Sequence, residues 1–369
     1  MFPRQQSLDR QYLMLMSVLV LFGLVMLSSA GAVIGYHKFG DSYFFFKRQV
    51  FFGIIPGIVL AYILSRTNYH VWRKFAFLLL LFSILLLLTV FIPGLGVEYS
   101  TGSRSWLNIA GFSFQPSELV KLTFLLYLAA WLEHRGERGV QNFSYGFLPF
   151  VVLLSVIMLL MILQPDIGTM SIIVFIALAV YFVAGGKLKH FLLLALAGAF
   201  VFVALVKTAP YRLARLTIFL HPELDPQGIG YHINQAFLAI GSGGWFGRGF
   251  GQSRQKFNFL PEVTGDSIFA IIAEELGFFL SLGFVSLVLF IGYRGFKIAW
   301  NAPDPFGKFV AAGITSWFLF QSFLNIGAMV GLFPITGVPL PFVSYGGTAM
   351  MVNLIAVGIL LNISRYSRL

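Results

Sequence analysis

The sequence has no cysteine in its 369 residues. That excludes disulfides, a thiolate nucleophile and a Cys-ligated metal, and leaves the compartment to be read from topology rather than redox chemistry. Charge is scarce too: 11% of residues are Asp, Glu, Lys or Arg, against 58% hydrophobic, and mean hydropathy is +0.85. This balance argues against a soluble fold and for an all-α polytopic membrane protein. The first apolar run, about Tyr12 to Gly35, is too long for a signal-peptide core and lacks a clear small-residue cleavage site, so it reads as a retained span.

Apolar windows long enough to cross a bilayer fall at roughly 12–35, 46–64, 72–93, 116–133, 147–164, 168–185, 190–206, 267–292, 308–331 and 344–363, about ten spans in a single domain over 1–369. The short polar joints near Arg66, Arg135, Lys187, Arg294 and Arg365, with the N-terminal tail, hold 14 of the 25 Lys and Arg residues. By the positive-inside rule that side is cytoplasmic, with both termini inside. Four acids, Asp9, Glu133, Glu137 and Asp304, share it; the other ten lie in outer loops or the adjoining helices. Asp and Glu contribute little to orientation, so the outward excess asks for another explanation. Simple solvation serves for Asp41, Glu223 and Asp225.

One outer loop, 207–265, runs 59 residues between the seventh and eighth spans, and connections of that length tend to be functional. It mixes apolar pairs, glycines and six cations, Lys207, Arg212, Arg215, Arg248, Arg254 and Lys256. Amphipathic pieces with basic faces suit a headgroup layer. The run "GSGGWFGRGFG" (241–251) reads either as a set of turns or as a phosphate cradle, with Arg248 tilting it toward the second. Before the fourth span, Pro116 suits a first helical turn and Glu118 the positive end of its dipole. Lys121 lies about 8 Å inside that span at 1.5 Å per residue. There it must either snorkel to the outer headgroups or pair with Glu118, Asp166, Glu274 or Glu275. Asp166, in the turn "QPDIG", also reads as a helix cap.

The stretch "LPEVTGDSIFAIIAEELG" (260–277) carries four carboxylates and no basic residue. If a helix begins near Asp266, Glu274 and Glu275 follow about 12–13 Å further along it, and Glu275 points opposite Asp266. One site cannot readily use all three. Glu274 and Glu275 therefore read as buried partners of intramembrane cations, whereas Asp266 at the mouth is either a helix N-cap or a group that meets substrate.

Several motifs, in order along most of the chain, carry a family resemblance: "YFFFKRQVFF", "RSWLNIAGFSFQPSELVKL", "LQPDIGT", the long loop from "PYRLARLTIF" to "GQSRQKFNFLPE", "EELG" and "TGVPLPFVSYGGTAMM". Together they resemble the SEDS family of cell-wall glycosyltransferases, the division-type members first and the elongation-type second. The resemblance implies ten spans with one large extracellular loop, and polymerisation of lipid II on the outer face of a bacterial cytoplasmic membrane during cell division. It places the family's catalytic aspartate on Asp266. The chain departs from the family's "HTDFIF" motif there, with Thr264, Gly265 and Ser267 replacing histidine, threonine and phenylalanine, so no imidazole is expected at position 264.

The implied chemistry has a sugar hydroxyl of one lipid II attack the anomeric carbon of another, displacing undecaprenyl diphosphate. A partly desolvated carboxylate suits the general base, and an α donor with a β-1,4 product needs one inverting displacement. Arg248, Arg212, Arg215, Lys121 and Arg104 are the candidates for meeting the leaving diphosphate, with a divalent cation (Mg2+ or Mn2+) as an alternative and no organic cofactor. Gln115, Ser117, Glu118 and Ser344, within the matching motifs, complete the substrate-binding candidates. Expected partners are a class B penicillin-binding transpeptidase and other division membrane proteins, with no nucleic acid. A proton-coupled lipid flippase and a non-catalytic division scaffold are the alternative classes; the outward acids, single large loop and lack of an obvious repeat argue against the flippase.

Overall fold

In the computed structural model, residues 7–92, 94, 96–97, 105–109, 112–207, 213, 217–221, 224–228 and 230–367 are described. The helices are α1 (Arg10–Ala30), α2 (Ala32–Phe39), α3 (Phe44–Arg66), α4 (His70–Thr89), α5 (Pro116–Val140), α6 (Phe143–Leu163), α7 (Ile167–Val183), α8 (Leu188–Lys207), α9 (Tyr231–Gly243), α10 (Ile268–Trp300), α11 (Pro305–Met329) and α12 (Gly347–Ser364). Among the described residues seven of these, α1, α3, α4, α6, α10, α11 and α12, are long and apolar enough to cross a membrane. Helices α7 and α8 are apolar but shorter in their apolar extent, and α5 runs 25 residues with charged groups toward both ends. These ten match the expected spans, and α2 and α9 are additional.

Helix α6 opens with a widened π turn, Phe143–Phe147, and α3 contains one, Val50–Ile54, after its first segment Phe44–Gln49; in each a proline, Pro149 or Pro56, follows two residues later. Proline cannot donate to the preceding turn and its ring crowds that turn's carbonyl, so one extra residue per turn relieves the conflict without ending the helix. The all-α expectation needs one small amendment. Strands β1 (Gly96–Val97), β2 (Trp106–Ile109) and β3 (Phe112–Phe114) form an antiparallel sheet in that order, with Leu107 paired to Gly96 and Phe114. This sheet leads straight into α5, and Thr348 at the start of α12 donates to the Ser113 carbonyl.

Helix α11 is the buried axis, with α5, α7 and α10 packed around it and Trp317 fully enclosed. Polar fastenings gather at the two ends of the bundle. At one end Arg294 of α10 pairs with Asp9 (2.6 Å), the Asp9 N–H donates to Ser364, and Asn362 binds the backbone of Ser65 and Tyr69. The other end carries the small sheet, the Gly-rich loop and Asp266.

Candidate active site

Asp266 lies two residues before α10 and is 8% exposed. Three consecutive carbonyls around it are each held from elsewhere. Tyr345 N–H donates to Thr264 O at 2.7 Å, Ser344 Oγ to Gly265 O at 2.6 Å, and Asn325 Nδ2 to Asp266 O at 2.7 Å. The next residue, Ser267, meets His232 Nε2 of α9 through its hydroxyl at 2.6 Å. One oxygen of the carboxylate is left over: Asp266 Oδ1 is buried without a hydrogen-bond partner among the described residues. An N-cap role does not describe it, because Ser267 holds the cap position and no side chain caps α10.

Burial, and secondarily the nearby Glu262 carboxylate, push the Asp266 pKa up to about 7, while the peptide N–H groups of Asp266 and Ser267 pull the other way. A base is most effective when its pKa lies near the working pH. This side chain therefore has its peptide frame fixed, one oxygen without a partner among the described residues, and an affinity for protons suited to neutral solution.

Glu274 and Glu275 do different work. The Gly-rich loop wraps them. Glu275 accepts from the N–H of Gly251 (3.0 Å), from Ser29 Oγ (2.7 Å) and from Lys256 Nζ (3.0 Å). Glu274 accepts from Ser253 Oγ (2.5 Å) and the N–H groups of Arg254 and Gln255 (3.0 and 3.3 Å). Immediately beyond them α10 breaks at Gly277 (φ 75°, ψ −175°), and the loop fills the break: Phe278 and Phe279 N–H donate to Gly244 and Trp245, and Arg248 and Gly249 N–H donate to the Glu274 and Glu275 carbonyls. Gly247 and Gly277 each have positive φ, and a Cβ on either would collide with the other's strand of backbone.

This corrects the phosphate-cradle expectation. The anions in the cradle are the protein's own, so the N–H groups expected to approach a phosphate beside Arg248 are already engaged. Arg248 Nε faces Glu274 Oε1 at 3.7 Å and the Ser242 carbonyl at 3.3 Å. The cation paired with Glu275 is Lys256, which the sequence reading counted in the loop without giving it a partner.

Lys121 and Glu118 also need correction as substrate ligands. Lys121 is 1% exposed, bonded to Glu118 Oε1 (2.8 Å) and Gln321 Oε1 (3.0 Å), with its ammonium 4.7 Å from the Trp317 ring centre. Both side chains are engaged by internal partners and buried, and neither opens on a mouth. Gln115 and Ser117 donate to Asp166 Oδ2 at 3.2 and 3.4 Å, and Asp166 caps α7 by accepting from Thr169 N–H. These three form a structural group. Ser344, proposed as a substrate contact, instead grips the Asp266 turn because its hydroxyl is buried against Gly265 O. Arg104, Arg212 and Arg215 lie outside the described residues.

Among the described residues no cluster of three or more His, Cys, Asp or Glu side chains is placed to hold a metal. Sequence reasoning missed Asn325 and Gln321, although a signal existed. Trp317, Gln321 and Asn325 recur every four residues along one face of an apolar span, where buried amides demand partners. Gln321 and Asn325 donate to the carbonyls of Pro339 and Val338, tying α11 to the segment that ends at Ser344.

A family model described as "Cell cycle protein", covering FtsW, RodA and SpoVE, matches residues 9–369. Stage V sporulation protein E of Bacillus subtilis (strain 168) is 43% identical over 368 residues, covering 100% of both chains. The "Probable peptidoglycan glycosyltransferase FtsW" of Geobacter sp. (strain M18) is 38% identical over 365 residues, 99% of each. Among solved structures, a chain from work described as "Structural coordination of polymerization and crosslinking by a peptidoglycan synthase complex" superimposes with a TM-score of 0.81 at 28% identity, covering 97% of this chain and 98% of that one. The rod shape determining protein RodA of Thermus thermophilus does so at 0.71 and 27%, covering 98% of each. By sequence over nearly its whole length and by fold, the chain belongs to the FtsW/RodA/SpoVE (SEDS) family.

Proposed function

We propose that this chain is a peptidoglycan glycosyltransferase that polymerises lipid II, with Asp266 as the general base. The observation that carries this reading is the buried carboxylate of Asp266, its Oδ1 unpartnered among the described residues and its pKa near 7, set on a turn whose three carbonyls at 264–266 are held. The acceptor hydroxyl loses its proton to Asp266 as its oxygen bonds to the donor's anomeric carbon. The bond from that carbon to the diphosphate breaks on the opposite face, and undecaprenyl diphosphate departs with the electron pair. One displacement inverts the anomeric centre, so a single carboxylate suffices.

The names of the relatives support the activity, and the charge distribution supports an outward-facing site. The basic joints, by the positive-inside rule, support a reading in which both termini lie in the cytoplasm of a bacterial inner membrane and Asp266 faces outward. The likeness to a chain of a polymerising and crosslinking complex supports a class B penicillin-binding transpeptidase as partner. The "FSFQPSEL" and "GQSRQKFNFLPE" segments favour a division role over elongation, while the likeness to a stage V sporulation protein keeps a sporulation role as the second reading. Contacts to the diphosphate fall to cations of the outer loops, with Arg212 and Arg215 first now that Arg248 has an internal partner. A divalent cation would be carried mainly by the diphosphate and water, because among the described residues no cluster of three or more His, Cys, Asp or Glu side chains is placed to hold one.

The test is purified protein in liposomes with lipid II. Wild-type protein should form polymer, and Asp266→Asn should lose at least about a hundredfold in rate with a thermal melt no lower than that of wild type. More than about a tenth of wild-type rate in Asp266→Asn would contradict the base assignment. Transbilayer movement of lipid II without polymer would favour a flippase.

A further inference from the structure

We propose that His232 is a positioning residue for the transfer reaction, holding the turn that carries Asp266 through the Ser267 hydroxyl. The inference rests on the reading of Asp266 as general base. It stands on geometry first. The Nε2 to Oγ distance is 2.6 Å, and Ser267, the residue next to Asp266, is fully buried. The three carbonyl contacts on residues 264–266 come from α11 and the segment before α12. His232 reaches the same turn from α9, in the long loop, and so joins the loop to the base.

The supporting element is rigid. Helix α9 buries Ile233, Ala236, Ala239 and Gly243, packs against α10, and is followed by the loop that closes over Glu274 and Glu275. A side chain based on such an element transmits a fixed position, which a side chain on an open loop would not. The ring's protonation state is also suited to the task. Burial pushes the His232 pKa down to about 4, so the imidazole is neutral at neutral pH. It then has one N–H and one lone pair, either of which a serine hydroxyl satisfies, and it adds no positive charge that would hold Asp266 ionised and weaken it as a base. The chain has thus lost the family motif's imidazole at position 264, yet carries one beside the same turn from another element.

Removing this contact should misplace the base without removing a substrate contact. His232→Ala is expected to lower kcat about tenfold or more while KM changes less than about twofold, because a small misplacement of a catalytic group is felt in the transition state. Ser267→Ala should reproduce the loss, and the double variant should be no slower than the slower single, since both remove one interaction. His232→Gln, whose amide can still meet the hydroxyl, should recover most of the rate.

The inference is overturned if His232→Ala turns over within about twofold of wild type, if the two single losses multiply in the double variant, or if Gln recovers no more than Ala. Should His232→Ala fail to fold, the Ser267→Ala and His232→Gln rates decide alone: a wild-type rate in Ser267→Ala, or an inert but folded His232→Gln, overturns it. Asp266→Asn run alongside separates the two claims. An active Asp266→Asn removes the base assignment itself, whereas an inert one beside a fully active His232→Ala removes only the role of His232.

Discussion

Asp266 titrates where it matters. With its pKa raised to about 7, kcat/KM should fall on the acid side with an apparent pKa near that value, provided the rate is measured on folded protein at each pH. The same shift makes a stability forecast of opposite sense. A carboxyl whose folded pKa lies above its unfolded value of about 4 binds its proton more tightly when folded, so its contribution is complete below that lower value and is lost as pH rises toward about 7. Across that window the slope is at most about 1.4 kcal/mol per pH unit. Asp266→Asn should therefore melt higher than wild type at pH 8 and nearly with it at pH 4; equal melts at both would mean the carboxylate is well solvated. From the sequence, the position of Asp266 at the head of a span was legible. Its burial was not, because the residues that hold its turn in place, Asn325, Ser344 and His232, come from three other parts of the chain.

Between α10 and the Gly-rich loop, the buried charges should behave as a unit. Glu275→Gln or Lys256→Met alone leaves an unmatched group beside Ser29 and the Gly251 N–H, a loss of about 3–5 kcal/mol. The paired replacement Glu275→Met with Lys256→Met should cost less than the sum of the singles, and thermal melts of the four proteins read this directly. Gly277→Ala should destabilise more than a helix propensity scale suggests, since its φ of 75° and the backbone of Gly247 both exclude a methyl group. That the two glutamates would be buried and matched followed from their depth in an apolar run. Which cation each would meet did not follow, because partner choice depends on how a 59-residue loop folds back, and spacing along a helix carries no information about that.

For the whole molecule, the ten spans were legible because apolar length is a local property, and their packing order around α11 was not. The absence of cysteine makes the orientation testable without a background. Tyr43→Cys should react with an impermeant maleimide added to intact cells, whereas Trp300→Cys, also exposed on the protein, should react only in inverted membrane vesicles. Labelling of both from one side would refute the proposed sidedness.

The Gly-rich loop is built around carboxylates that never leave. Loops that close on a phosphate usually wait for it, and their ordering is charged against each binding event. Here the template is covalently part of the chain, so residues 244–256 should resist protease equally with and without lipid II, and association should show no slow phase from loop closure. The mouth is then a standing wall rather than a lid. Encounter with a long, slow-diffusing lipid can be productive at the first correct collision.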